Sequence, residues 1–303
     1  MRAAVICNPA SGRGRGARLI PEARAAFASV GITDVRITEC AGDEARLIRA
    51  ALDDGCDTIA VLGGDGTWGK CAAALAACGG AARLAFLRGG TGNDFAKNFP
   101  APAGDFMAMA RLVAQGGMEW RVDMGRVESG RNSDQGDWFL NIAGFGFDVT
   151  VLERVVRGGK LSGPLVYVVS ALRELFAYRG FTVSAPRLVG SHATQLMIVI
   201  ANGQHFGGVF HIAPDALVTD GRLDAIIVKN MGALARLPLF AAVVRGTHLS
   251  DPAVQVATAG EFTLQFATPP SFEVDGELRA AASPEIRVVC VPGAVRVLGG
   301  RGA

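Results

Sequence analysis

The chain has 303 residues, half of them apolar and 19% charged, which excludes a disordered protein and allows two packed domains. A net charge of +2 is too small for a nucleic-acid-binding footprint, and no apolar run reaches the ~18–20 residues a bilayer crossing needs. The N-terminus runs from Ala3–Ile6 into Asn8-Pro9 without the apolar core of a secretion signal. Six cysteines show neither CxxC pairing nor zinc-ligand spacing with histidine. A reducing, cytoplasmic location is the expectation.

In chain order, short apolar runs alternate with longer helical patterns over the first ~125 residues. Ala3–Cys7 predicts a strand and Gly16–Val30 an amphipathic helix; Val35–Thr38 and Asp43–Asp53 repeat the pair. Thr58–Leu62 is a third strand before a helix from about Thr67 to Cys78, and Arg83–Leu87 a fourth before a helix at Asp105–Gln115. Strands separated by helices predict a doubly wound parallel sheet. After Trp120 the texture becomes β-rich: Val122–Val127, Trp138–Ala143, Phe181–Ser184, Gln195–Ala201, Leu223–Val228, Glu261–Phe266, Ser271–Val274 and Ile286–Val291 read as strands. Helices are expected near Leu165–Ala177 and Ala233–Arg245. This predicts an α/β domain over 1–125 and a mainly antiparallel β-sandwich domain with attached helices over 126–303, whose last strand could return to the first domain.

Three of the first-domain strands end in loops of unusual composition: Asn8-Pro-Ala-Ser-Gly-Arg-Gly-Arg-Gly16, Gly63-Gly-Asp-Gly-Thr67 and Gly89-Gly-Thr-Gly-Asn-Asp94. In an open parallel sheet the carboxyl ends of the strands share one side, so these loops converge. Neither GxxxxGK[ST] nor GxGxxG directly after the first strand is present, which argues against P-loop and dinucleotide redox chemistry. Glycines let the backbone approach phosphates, and Ser11, Thr67 and Thr91 can donate hydroxyl hydrogen bonds, with Arg13 and Arg15 as opposing charge. Each hydroxyl could equally cap a helix.

NPASG, GGDGT and GTGNDFA in this order resemble the diacylglycerol kinase catalytic-domain family of bacterial lipid kinases, sphingosine kinases and ceramide kinases. Ala213-Pro-Asp-Ala-Leu-Val-Thr-Asp-Gly-Arg-Leu-Asp224 and Phe272-Glu-Val-Asp-Gly-Glu277 extend the likeness over essentially the whole chain. The resemblance implies a first domain like those of NAD kinases and phosphofructokinases, with ATP as phosphoryl donor and Mg2+ as its partner ion. By the match, Asn8, Pro9, Ser11, Gly12, Thr38, Gly63, Gly64, Asp65, Gly66, Thr67, Gly90, Thr91 and Asn93 would hold the nucleotide. Asp65 then stands near the phosphates through magnesium and its waters, with Asp94 and Asp123 as partners. Asp94 could instead cap the following helix, and Asp123 could be a strand carboxylate held by backbone N–H groups.

The resemblance also makes either Asp275 or Glu277 the general base that takes the substrate hydroxyl proton, with Asp65 part of the catalytic centre. Read alone, Val-Asp-Gly-Glu is an ordinary hairpin turn. Leu217, Asp220 and Arg222 match a turn that binds magnesium away from the phosphates in bacterial members. His205 and His211 are expected to be structural. Leu161–Phe181, with basic side chains across 153–187, suggests a lipid wall or a helix packed on the sheet with a solvated basic side. The implied activity is transfer of phosphate to a membrane-lipid hydroxyl, diacylglycerol or a related glycero- or sphingoid lipid, by a protein peripheral to the inner membrane face and able to form a homodimer. The alternatives are a soluble-metabolite kinase such as NAD kinase and a non-catalytic binding protein. Gly69-Lys70 departs from the Asn-Glu pair common in the family after GGDGT.

Overall fold

The computed structural model describes residues 2–130, 136–157, 175–185, 188 and 190–300. The chain divides into two compact units: Met1–Met124 with Val218–Gly221 and Val291–Ala303, and Gly125–Leu217 with Arg222–Cys290. The first unit thus takes in two segments that lie far beyond residue 125.

In the first unit, β1 (Ala3–Cys7), β2 (Val35–Ile37), β3 (Thr58–Gly63) and β4 (Arg83–Arg88) form a parallel sheet in the order β2-β1-β3-β4. Both faces of β1 and β3 are covered, which is why they read as unbroken apolar runs. Helices α1 (Ser11–Ala28), α2 (Asp43–Asp53), α3 (Asp65–Ala77) and α4 (Phe106–Gln115) pack in two pairs, α2 with α3 and α1 with α4. α4 is bounded as its sequence dictates. Asp105 caps it by accepting from the Ala108 N–H at 2.9 Å, and left-handed Gly116 ends it. α3 begins at Asp65, two residues earlier than its apolar pattern suggests.

In the second unit, two strands show why the β-rich texture continues through both faces. On β9 (Gly190–Ala201), Ile198 and Ile200 enter one core with Phe145, Phe262 and Phe272, while Val199 and Ala201 enter a second on the opposite face. β10 (Leu223–Lys229) alternates likewise, Ala225 and Ile227 against Ile226. β9 pairs antiparallel with β7 (Ile142–Gly146), β8 (Phe181–Ala185) and β10, and β10 pairs with β11 (Val254–Ala259). β13 (Ser271–Val274) joins β7 to β14 (Glu277–Ala280), and β12 (Glu261–Gln265) joins β8 to β15 (Glu285–Gly299). β5 (Met118–Ser129) carries the chain out of the first unit and pairs with β6 (Asp137–Phe139). After leaving β12, the far end of β15 runs parallel to β4 through Arg296 and Val297.

Helix α5 (Phe147–Arg157), β11 and β14 were not expected from the sequence; α6 (Ala233–Arg245) has the expected bounds. The strand expected over Trp138–Ala143 is two strands, β6 and β7. Its ladder stops because the N–H groups of Leu140, Asn141 and Ile142 donate to the Asp275 carboxylate instead of a neighbouring strand. The expected helix Leu165–Ala177 lies outside the described residues up to 174, as do Lys160, Arg173 and Arg187. Among the described residues no helix is long and apolar enough to cross a membrane. The six cysteines are free thiols.

Candidate active site

The loops after β1, β3 and β4 meet at the carboxyl ends of the first sheet. β2 lies on one side of β1 and β3 on the other, so the chain reverses direction there, the place where open α/β sheets form a ligand crevice. The Asn8 side chain organises the first loop: its Oδ1 accepts from the Ala10 N–H at 2.9 Å and its Nδ2 donates to Thr67 Oγ1 at 2.9 Å. Ser11 Oγ donates back to the Asn8 carbonyl. Gly12 sits at φ +56°, where a side chain would be strained, and a Cβ there would stand 2.4 Å from the Gly89 carbonyl oxygen. A Cβ on Gly90 would stand 2.5 Å from Gly64 Cα, so the second and third loops touch backbone to backbone. Gly89 and Gly90 donate their N–H groups to the Gly63 carbonyl. Asn93, in the left-handed region at φ +52°, closes the third loop by exchanging two hydrogen bonds with Gly90. No side chain caps α3 at Gly64, and its first-turn N–H groups suit anionic oxygens, whereas Gly12, Arg13 and Gly14 at the start of α1 are left-handed, so that segment is loop and the helix proper follows it. Thr38 is buried and its N–H donates to Cys7 O, whereas Thr91 and Pro9 border solvent.

Asp65 stands at the head of α3. Its Oδ1 accepts from the Phe95 N–H at 2.9 Å. Burial, and then the Asp94 charge, push its carboxyl above the usual range against the pull of backbone donors. Asp94 Oδ1 pairs with Lys97 at 2.5 Å. The second oxygens of both acids, Asp65 Oδ2 and Asp94 Oδ2, lie 3.2 and 3.0 Å from the point where a Cβ on Gly92 would stand. Gly92 therefore leaves a gap flanked by two carboxylates.

Asp123 is buried and does a different job. Its two oxygens accept from Gly221 N and Gly293 N, both at 2.7 Å, and its own N–H donates to Val218 O. It ties the two returning segments to β5 within the first unit. Burial, with the nearby Asp220 charge, raises its carboxyl. Leu217, Asp220 and Arg222 are all exposed on their turn. Among the described residues no three His, Cys, Asp or Glu side chains gather closely enough to cage an ion. Trp68 is fully buried, donates Nε1 to Val61 O at 3.1 Å and packs on Phe86, so the residue after GGDGT belongs to the core.

In the second unit, Asp275 and Gly276 form a two-residue hairpin turn between β13 and β14, with φ +48° and +84°. The Asp275 carboxylate accepts three backbone N–H groups, from Leu140 at 2.6 Å, Asn141 at 2.9 Å and Ile142 at 3.0 Å. Glu277 instead pairs with Arg279 at 2.7 Å, its side chain one-third exposed. His205 and His211 stack face to face, ring centres 4.3 Å apart.

Sequence reasoning missed two acids here. Glu273 is 1% exposed on β13, and Asp148, 6% exposed, opens α5. The only signal was three acids within Glu273-Val-Asp275-Gly-Glu277, at the end of a strand, in the turn and at the start of the next strand; which of them is buried was not readable. α5 and α6 also flank a small apolar cavity of about 70 Å³, walled by Phe147, Val151, Leu196, Leu239, Phe240 and Val243 and touched by Asp148.

Glycine-built strand-end loops around a half-buried acid, on a parallel sheet joined to an antiparallel β unit with an apolar cavity, define a two-part kinase rather than a dinucleotide oxidoreductase. Residues 2–127 match the diacylglycerol kinase catalytic domain, and residues 141–299 the YegS C-terminal NAD kinase beta sandwich-like domain. The chain belongs to this family of diacylglycerol kinases and YegS-like lipid kinases, and is a lipid kinase. It is 30% identical over 300 residues to a diacylglycerol kinase of Mycobacterium tuberculosis, covering 97% of this chain and 93% of that one. A probable YegS-like lipid kinase of Xanthomonas euvesicatoria is 31% identical over 276 residues, 87% of this chain and 85% of its own. The crystal structure of a putative diacylglycerol kinase from Bacillus anthracis shares the fold, with a TM-score of 0.74 at 22% identity over 99% of this chain and 97% of that one.

Proposed function

We propose that the chain transfers the γ-phosphoryl group of ATP, with magnesium, to the hydroxyl of diacylglycerol or a related glycero- or sphingoid lipid taken from a membrane surface. The observation that carries the lipid reading is the apolar cavity between α5, α6 and the strands behind them. Its almost wholly apolar lining suits an acyl chain rather than a polar metabolite.

The glycine loops and the first turn of α3 would receive the phosphates, with Asn8, Ser11, Thr67 and Thr91 as hydroxyl and amide contacts. Asp65 Oδ2 and Asp94 Oδ2, which approach each other beside Gly92, would hold a magnesium ion through its waters. Such an ion would neutralise charge on the phosphates. The hydroxyl proton would pass to Asp275 as the oxygen bonds to phosphorus and ADP leaves. Its three backbone donors hold this carboxylate in one orientation, whereas Glu277 is turned toward Arg279.

Purified protein incubated with labelled ATP, magnesium and a panel of lipids in mixed micelles, with NAD as a soluble acceptor, tests the reading. Label should enter a lipid and not NAD, and EDTA should stop it. The variant Leu239→Trp, which narrows the cavity, should raise the KM for long-chain lipid about tenfold and leave that for ATP unchanged. Labelled NAD with unlabelled lipids would overturn the proposal.

A further inference from the structure

Two carboxyls that no loop motif announces lie together in the core of the second unit. Glu273 is paired in register with Gly144 of β7, and the missing side chain of Gly144 is what admits them. A Cβ at that position would stand 1.7 Å from Asp148 Oδ2 and 3.0 Å from Glu273 Cγ. Both acids are more than nine-tenths buried. Neither oxygen of Asp148, nor Oε1 of Glu273, has a hydrogen-bond partner of good geometry, though the N–H groups of Asp148 and Val149 at the head of α5 lie near enough to offset part of the burial. Two buried carboxylates side by side cannot both stay ionised, so protons retained on the pair are what these atoms require. Asp275 follows two residues on, in the turn that ends β13, close enough for its charge to act on Glu273.

The geometry points to Glu273 and Asp148 as positioning residues for the transfer: two carboxyls wedged at Gly144 that both hold their protons at acid pH and, when one of these goes to solvent, place negative charge behind Asp275. This deepens the functional reading above and rests on Asp275 as the base.

The charges around the pair are few. Asp148 faces Glu273 from α5 and Asp275 from the turn; β7 contributes only Gly144. Tyr178 feels the Asp148 charge, and Arg236 of α6 acts on Tyr178 rather than on the pair. Burial pushes Asp148 up to about 7, and Glu273 is raised first by burial and then by the charges of Asp148 and Asp275. That last effect is mutual: ionising the pair raises the pull of Asp275 on a proton. The pair is therefore neutral below about pH 7 and negative above it.

The test is the pH profile of kcat at saturating ATP and lipid. The wild-type rate should climb roughly threefold through a transition near neutrality as the base strengthens. Glu273→Gln, isosteric and able to donate to Asp148, should move that transition to lower pH, and Asp148→Asn with Glu273→Gln should abolish it. In the infrared, a buried protonated carboxyl band should persist at pH 6 in wild type and vanish in the double variant. A double variant that keeps the wild-type transition, or a wild type without the band, overturns the inference; the band needs no activity and no double variant that folds. Asp275→Asn separates the two readings. Full activity in that variant sinks the base assignment and this inference with it. An inactive Asp275→Asn beside an unchanged double variant sinks the pair alone.

Discussion

The side-chain amide of Asn8 donates to the hydroxyl of Thr67 at 2.9 Å, joining the loop after β1 to the first turn of α3. Both residues lie in motifs that sequence reading assigns to the nucleotide, yet their contact is with each other. The same Asn8 side chain also accepts from Ala10 N, so one residue shapes its own loop and locks it to the next.

Breaking that lock should loosen both loops. Thr67→Val keeps the volume and removes the acceptor. It is expected to cost about 1 kcal/mol of stability, read by urea unfolding, and to raise the KM for ATP several-fold. An unchanged KM with lowered stability would leave the bond a scaffold with no part in nucleotide binding.

Gly66 separates folding from binding. A Cβ there meets nothing within 4 Å and the residue is helical, so Gly66→Ala should leave the thermal midpoint unchanged or raise it slightly. If phosphates approach the backbone at this turn, the same methyl should weaken ATP binding about tenfold by calorimetry. Equal affinity in both proteins would move the phosphates away from Gly66.

The gap beside Gly92 makes a prediction about the ion. Gly92→Ala puts a methyl within 3.2 Å of both Asp65 Oδ2 and Asp94 Oδ2, atoms at the ends of side chains that can shift a little. The fold should survive with a loss of about 1 kcal/mol. The magnesium concentration giving half-maximal activity should rise about tenfold, with manganese titrated in parallel as a check.

Asp123 is predicted to be a brace. In Asp123→Asn only one oxygen remains to accept, so either Gly221 N or Gly293 N is left unpaired, at a cost of about 1–3 kcal/mol. The magnesium dependence of activity should not move. A shifted magnesium requirement at unchanged stability would instead make Asp123 part of the ion's surroundings.

Stability should fall as pH rises from about 4 to about 7. Asp148 and Glu273 are both raised in the folded chain, Asp148 from 3.8 to about 7, so the native state binds more protons than the unfolded state across that window. Below it both states are protonated and nothing is lost; the Asp148 penalty accumulates through it, and Glu273, raised further by burial and its neighbours' charges, adds to the loss in the same direction. Glu273→Gln should flatten the slope of unfolding free energy against pH and make the protein more stable than wild type at pH 8.

Much of the fold was legible because its causes are local. Asp105 and Gly116 bound α4, the Asp-Gly pair dictates the β13–β14 turn, and unbroken apolar runs mark strands covered on both faces. The site was legible as motifs but not as roles. Asp275 sits in the expected hairpin, yet what it holds is a stretch some 130 residues earlier, and no pattern near either segment encodes that contact. Asp148 has an ordinary place at the start of α5, and only the missing Cβ of Gly144 makes it half of a buried pair.

The sequence by itself determined most of the strands and helices, though not α5, β11 or β14, the glycine loops at three strand ends, and through its motifs the membership of a kinase family. These follow from backbone preference and periodicity, which act over a few residues. Only the tertiary structure decided that Val218–Gly221 and Val291–Ala303 belong with the first unit, that Asp123 braces them, and that Glu273 shares its burial with Asp148. The physical reason is that a carboxylate's role depends on its desolvation and on the donors or charges around it, which come from chain segments far apart in sequence.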